Sequence, residues 1–132
     1  MDEHVTASSS VSVVTSVVAG VPVTRVVGEI DAANVDMVQA EVFTQVDQAA
    51  SALVVDLSGV TFFASSGLTM LLHIQRKATA RGVGFAVVAH HRAVLRPLEV
   101  TGLTDLLAIC PTVEQALAGV RRIEPTLSNE SS

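Results

Sequence analysis

The stretch that decides the fold is residues 56–68, which read DLSGVTFFASSGL. An apolar run at residues 52–55 leads into this stretch, and an amphipathic pattern with helical spacing follows it. The order predicts a strand, a short loop and then a helix that begins near Ser65. The first N–H groups of a helix have no partner within it, and the helix dipole is positive at that end. Ser65 and Ser66 are therefore expected where an anion, such as a phosphate on a serine, is tolerated.

The composition limits the class of protein. The 132 residues are 49% apolar, which predicts one domain with a packed core. The net charge of −5 and the absence of Trp and Tyr argue against nucleic-acid binding. The N-terminal residues are acidic, unlike a secretory signal, and the longest apolar run, residues 17–23, is far shorter than the ~20 residues of a membrane span. We therefore expect a cytoplasmic protein with no membrane partner.

No cofactor, metal site or catalytic activity is expected. Cys110 is the only cysteine and is interpreted as a small buried hydrophobic residue. His90 and His91 have no Cys or carboxylate at ligand spacing nearby, so we interpret them as a solvated helix start. An enzyme with a serine nucleophile is a poor alternative, because the chain has no GxSxG motif and no evident group to activate Ser65.

The remaining sequence predicts an α/β fold with a mixed sheet of four or five strands and about four helices. Two β-type runs, 11–19 and 23–30, flank a Gly-Val-Pro break, as in an antiparallel hairpin. Asp31 and Asn34 are able to cap the helix that follows. The further elements expected are a strand at 53–57, a turn at Ser58-Gly59, a helix at 65–80, a strand at 85–89, a helix at 93–100 despite Pro97, a short strand at 106–109, and a last helix opened by a Thr112–Gln115 capping box.

The strands at 53–57 and 85–89 are expected to pair in parallel, since a helix connects them. Working residues of open α/β sheets gather at the carboxyl ends of such strands, which is where residues 58–64 lie in this prediction. Residues 1–10 are expected to be a flexible N-terminal end, residues 11–122 the domain, and residues 123–132 a flexible tail.

Three segments in this order resemble the STAS domain of bacterial anti-sigma-factor antagonists. They are GEID at residues 28–31, the decisive stretch at 56–68, and a weaker LExTGL run at 98–103 within residues 94–107. The second segment is the specific one. The resemblance covers about residues 11–122 and implies a single STAS-like domain.

The resemblance implies partner switching in the control of transcription, as in bacterial stress responses. The unmodified antagonist binds an anti-sigma factor, a serine kinase of the histidine-kinase-like ATPase type, and so releases a sigma factor. The kinase phosphorylates the first serine of the family's Asp-Ser-Ser-Gly motif, which falls on Ser65. A metal-dependent serine phosphatase reverses this modification. The domain is expected to be a monomer or a weak dimer.

The partner-binding residues that the resemblance and the helical pattern suggest lie in two segments, and they are Asp31, Ala64, Ser65, Ser66, Gly67, Thr69 and His73. Ala64 departs from the family, which has an aspartate before the serine. A constitutively active antagonist, a different kinase, and a non-phosphorylated scaffold in a larger regulatory assembly remain alternatives. Ser65 can also serve as a plain helix N-cap. Gly67 indicates either tight packing or room for a partner's backbone.

Overall fold

The computed structural model describes residues 4–7, 10–49 and 51–123. These residues form strands and helices in the order β1 His4–Ala7, β2 Val11–Val18, β3 Val21–Ile30, α1 Val35–Gln48, β4 Ala52–Phe63, α2 Ser65–Ala80, β5 Gly84–Val88, α3 Arg92–Val100, β6 Ala108–Cys110 and α4 Val113–Ile123. A single 3₁₀ turn, Leu103–Asp105, precedes β6. The predicted α/β class and four helices are confirmed for this part of the chain.

The strands form one mixed sheet in the order β1-β2-β3-β4-β5-β6. The hairpin of β2 and β3 is antiparallel, and β4 pairs with β5 in parallel, as predicted. The sheet has one strand more than expected because His4–Ala7 pairs antiparallel with β2. The expectation of a flexible end does not hold for these four residues. Residues 1–3, 8–9 and 124–132, which belong to the expected flexible ends, lie outside the described residues.

Helices cover both faces of the sheet. One face packs against α1, α2 and α3, and its core includes Val26, Leu57 and Leu71. The other face packs against α4, with Val54 and Val120 in a second core. Residues 52–57 of β4 are all buried, as predicted for a central strand with cover on both sides.

β4 is much longer than the predicted strand. We expected the strand to end near Leu57 and a turn at Ser58-Gly59, and both expectations are wrong, because β4 continues to Phe63. The neighbouring β3 supplies the reason: it runs to Ile30 and pairs with β4 as far as Phe63, through two shifts of register. Pairing with a long neighbour thus overrides the local turn preference of Ser-Gly.

The structure also bears on the predictions for α3, Cys110 and membrane-spanning helices. His91 is the N-cap residue of α3 and is exposed, as expected of a solvated helix start. Pro97 lies inside α3, which continues through it. Cys110 is only partly buried, against the second core, so our interpretation of a buried residue is too strong. No helix among the described residues has the length and apolar character needed to cross a bilayer.

Candidate functional site

The first turn of α2 follows β4 with only Ala64 between them. The helix begins at Ser65, as predicted. The N-cap position is nevertheless occupied by Ala64 and not by Ser65, so the interpretation of Ser65 as the N-cap is wrong. Ser65 is exposed, and its hydroxyl makes no hydrogen bond to any other residue that the structure describes. Ser65 already has helical geometry as the first residue of α2, so the cap position falls on the residue before it.

Ser66 and Gly67 lie in the same turn but are packed differently. Ser66 is partly buried, and its Oγ is closed to solvent without a hydrogen-bond partner among the described residues. Gly67 is buried, and a Cβ on it would lie 2.6 Å from Cε1 of Phe63. Of the two alternatives for Gly67, this contact favours tight packing. Only the first of the two serines therefore offers its hydroxyl to solvent.

The Asp31 turn consists of residues 31–34 and leads from β3 into α1. The Asp31 Oδ1 accepts hydrogen bonds from the N–H groups of Ala33, at 3.0 Å, and Asn34, at 3.2 Å. The buried Asn34 occupies the N-cap position of α1, but its side chain does not cap the helix. Its Oδ1 instead accepts from the Asp31 N–H at 3.0 Å. The predicted capping role is thus replaced by a turn in which the two side chains hold each other's backbone.

Asn34 also ties this turn to the sheet. Its Nδ2 donates to the backbone oxygen of Glu29 at 2.8 Å and to the hydroxyl of Ser10 at 3.0 Å. The amide group therefore joins the end of β3, the residue before β2 and the start of α1. Such a fully bonded buried amide fixes the local geometry, because losing one bond would leave a polar group unsatisfied.

The Asp31 turn and the start of α2 lie side by side. The backbone N–H of Ala64 donates to the backbone oxygen of Ile30 at 3.0 Å, which continues the pairing of Ile30 with Phe63. Residues 30–31 and 64–65 are therefore neighbours across the ends of two parallel strands. The structure brings together the two segments that the sequence suggested separately.

Thr69 and His73 extend this surface along α2, and both are exposed. Nδ1 of His73 and Oε1 of Gln39 form a hydrogen bond of 3.2 Å between α2 and α1. A groove of about 240 Å³ lies between the two helices and is lined by Val35, Asp36, Gln39, Ser66, Thr69, Met70 and His73. Sequence reasoning missed Asp36 and Gln39 as site residues. Their spacing of three residues could have indicated that both lie on one polar face of α1.

The cations of α2 lie at its other end. Lys77 and Arg81 form ion pairs with Asp47 of α1, at 3.1 and 2.8 Å. This arrangement is typical of charged side chains on a solvated helix face. Lys77 is twelve residues from Ser65, which corresponds to ~18 Å along a helix. These two cations are therefore too far away to neutralise a charge on Ser65.

Comparison with known proteins now decides the family. The model of the STAS domain matches residues 12–116. The chain belongs to the STAS domain family. This STAS domain is 34% identical over 115 residues to the anti-sigma-F factor antagonist RsfB of Mycobacterium tuberculosis, covering 87% of the chain and 93% of the relative. It is 37% identical over 94 residues to RsfA of the same organism, covering 69% and 73%.

Solved structures agree with this assignment. A crystal structure of an anti-sigma factor antagonist from Mycobacterium paratuberculosis superimposes on this STAS domain with a TM-score of 0.80 and 34% identity, covering 88% of the chain and 98% of that structure. The unphosphorylated form of SpoIIAA, at 22% identity and a TM-score of 0.66, shares the fold. The resemblance that residues 28–31 and 56–68 carry in the sequence is thus confirmed.

Proposed function

We propose that this STAS domain is an anti-sigma-factor antagonist that binds an anti-sigma factor through one surface, here called the switch surface. The switch surface consists of Asp31, Ala64, Ser65, Ser66, Gly67, Thr69 and His73. The main observation in support is the exposed Ser65 at the first turn of α2, next to the Asp31 turn. Binding there sequesters the anti-sigma factor and releases a bacterial sigma factor in the cytoplasm. The domain acts by binding, without catalysis, as a monomer or weak dimer.

Phosphorylation of Ser65 is the proposed control. The Ser65 hydroxyl is exposed and holds no hydrogen bond within the described residues, so modification need not break a structural contact. A phosphate adds −1.5 to −2 charge, and the N-terminus of α2 stabilises a negative group by ~0.3–1 kcal/mol. The modified domain therefore stays folded. A partner surface shaped for a neutral serine would have to bury that charge unpaired, which typically costs several kcal/mol.

The proposed partners follow from this cycle. The anti-sigma factor is itself the serine kinase, of the histidine-kinase-like ATPase type, and a metal-dependent serine phosphatase restores the unmodified form. Nucleic acid and membrane are not among the proposed partners.

The second candidate function is a non-phosphorylated scaffold in a larger regulatory assembly. Ala64 favours it, because the family's aspartate is missing directly before the phosphoacceptor position. A scaffold would still use the switch surface for binding, but Ser65 would receive no phosphate.

The test has two parts. Calorimetric titration of the cognate anti-sigma factor with the STAS domain measures binding, and incubation of the two proteins with ATP measures phosphate transfer. The proposal expects tight binding and a phosphate on Ser65, whereas Ser65→Ala should bind as tightly and accept no phosphate. Binding without transfer would favour the scaffold, whereas a parent protein that does not bind would refute the proposed function.

A further inference from the structure

The second face of the sheet is only partly covered. α4 packs there on the first residues of β3 and β4, which form the second core with it. Val26 belongs to the main core of the first face, so its neighbour Val27 points to the second face. Phe62 does the same, because Phe63 belongs to the main core. Both side chains lie outside the second core, and the sheet around them is left open.

Val27 and Phe62 form an exposed apolar patch on this open face. Their exposed fractions are 41% and 51%, whereas the other three phenylalanines of the chain pack in or against the main core. Phe62 pairs with Glu29, two residues beyond Val27 on β3, so Val27 and Phe62 are diagonal neighbours. A Cβ on Gly59 would lie 2.9 Å from Cγ2 of Val27, so the glycine keeps the surface beside Val27 flat. Contiguous exposed apolar surface, unlike a single scattered residue, is typical of a contact with another molecule.

Two exposed charges of opposite sign lie on either side of Val27. Arg25 and Glu29 are exposed, and each lies two residues from Val27 on the same face of β3. About 13 Å separates them along the strand, so they cannot pair with each other. Neither forms an ion pair with another residue that the structure describes. β3 therefore presents a basic, an apolar and an acidic side chain, in this order, to the open face.

We propose that this patch is the contact between two copies of the domain. A two-fold axis through the pair of Val27 side chains sets the two β3 strands antiparallel and places Arg25 of each copy opposite Glu29 of the other. The same axis brings both Phe62 side chains into the contact. A second copy thus carries the complementary order of charges by symmetry, whereas a different partner would have to match it by its own sequence.

The dimer goes beyond the proposed function and does not depend on it. α2 packs on the first face, so the dimer contact leaves this helix uncovered, and the pair of domains presents two switch surfaces. The patch is small, and exposed ion pairs contribute little free energy. We therefore expect a weak dimer that forms at high protein concentration and dissociates on dilution.

Charge reversals test the two-fold arrangement by sedimentation equilibrium. Arg25→Glu places like charges opposite each other and should weaken self-association about 10-fold, and Glu29→Arg should do the same. The double variant Arg25→Glu/Glu29→Arg only exchanges the two charges, keeps the net charge of −5, and should dimerise like the parent. An equimolar mixture of the two single variants should form mixed dimers, because one variant carries two acidic and the other two basic side chains at these positions.

Phe62→Ala tests the apolar part of the contact. It should weaken self-association about 10-fold or more while the melting temperature hardly changes, because 51% of the side chain is exposed in the single domain. Leu106→Ala is the matched control, since Leu106 is 61% exposed but lies next to β6, at the far edge of the sheet from β1. This control should leave self-association unchanged.

The proposed dimer is overturned if the parent remains a monomer at millimolar concentration. It is equally overturned if a dimer forms that neither Phe62→Ala nor the charge reversals weaken, since another surface then makes it. Failure of the double variant to regain the parental affinity would overturn the two-fold arrangement. If the parent stays monomeric and Phe62→Ala instead weakens binding of the anti-sigma factor, the patch belongs to that partner and not to a second copy.

Discussion

The phenyl ring of Phe63 lies directly against Gly67, on the side where any other residue would carry its Cβ. That Cβ would be 2.6 Å from Cε1 and 2.8 Å from Cζ of the ring. Phe63 ends β4 and Gly67 is the third residue of α2. Their contact lets the chain turn from strand to helix within one residue, and this sharp turn presents Ser65 to solvent.

Gly67→Ala should therefore destabilise the domain. Alanine favours a helix by up to ~1 kcal/mol over glycine, but overpacking against the Phe63 ring typically costs ~1–3 kcal/mol. We expect a net loss in the free energy of unfolding, measured by urea denaturation. Gly119→Ala in α4 is the matched control, because a Cβ there meets no atom within 4 Å. It should stabilise the domain, and stabilisation by both variants would show that the ring moves aside easily.

Substitutions of Ser65 should separate folding from binding. Ser65→Asp places a charge at the N-terminus of α2, where the dipole contributes ~0.3–1 kcal/mol, so the melting temperature should hardly change. A penalty of ~3 kcal/mol in the complex would nevertheless weaken binding of the anti-sigma factor more than 100-fold. Ser65→Ala should bind like the unmodified parent and accept no phosphate. Undiminished binding by Ser65→Asp would argue against charge as the switch.

Ala64→Asp should increase the rate of phosphate transfer to Ser65 if the missing carboxylate limits recognition by the kinase. The fold should not change, since the residue contributes its backbone N–H to the bond with Ile30. Transfer of radiolabelled phosphate in vitro gives the rate. Ala64→Asn is the control of similar size without charge, and an equal rate for both variants would rule out a role for the carboxylate.

Asn34→Asp should weaken the partner complex through the Asp31 turn. The aspartate keeps the acceptor for the Asp31 N–H but loses the two donors to Glu29 and Ser10, each worth ~0.5–1.5 kcal/mol. We expect lower stability and, at temperatures well below unfolding, an affinity lower by about 10-fold. Faster amide exchange at Asp31 should accompany the loss.

Thr24→Val provides the comparison for Asn34. Thr24 is fully buried and its hydroxyl bonds to that of Thr15 at 2.8 Å, away from the Asp31 turn. The substitution removes a buried hydrogen bond and should also lower stability, but it should leave the affinity unchanged. Equal effects of Thr24→Val and Asn34→Asp on binding would mean that general stability, and not the position of Asp31, matters.

The helices could be predicted from the sequence, mainly because apolar residues recur in it at helical spacing. Prediction from the sequence failed at β4, because the Ser58-Gly59 pair favours a turn locally, while β3 pairs with four further residues of β4 beyond Leu57, the last of them Phe63. It also missed the strand at His4–Ala7, because four residues are too few to show a pattern and the strand forms by pairing with β2.

The residues of the candidate site also fall into two groups: those that a local motif indicates and those that only the packing of the fold brings together. Asp31 and Ser65 are visible because each stands in a local motif. Asp36 and Gln39 became site residues only when α1 and α2 packed side by side, since the groove belongs to neither helix alone. The hydrogen bonds of Asn34 likewise join residues up to 24 positions apart in the chain, and no spacing rule indicates them.

The bond between the Ala64 N–H and the Ile30 oxygen has one more consequence. Because main-chain atoms make it, every amino acid except proline can make it, so this bond does not depend on the side chain at position 64. In the proposed phosphorylation cycle, substitution at position 64 can therefore change how a kinase recognises Ser65 while the backbone that displays this serine keeps its position.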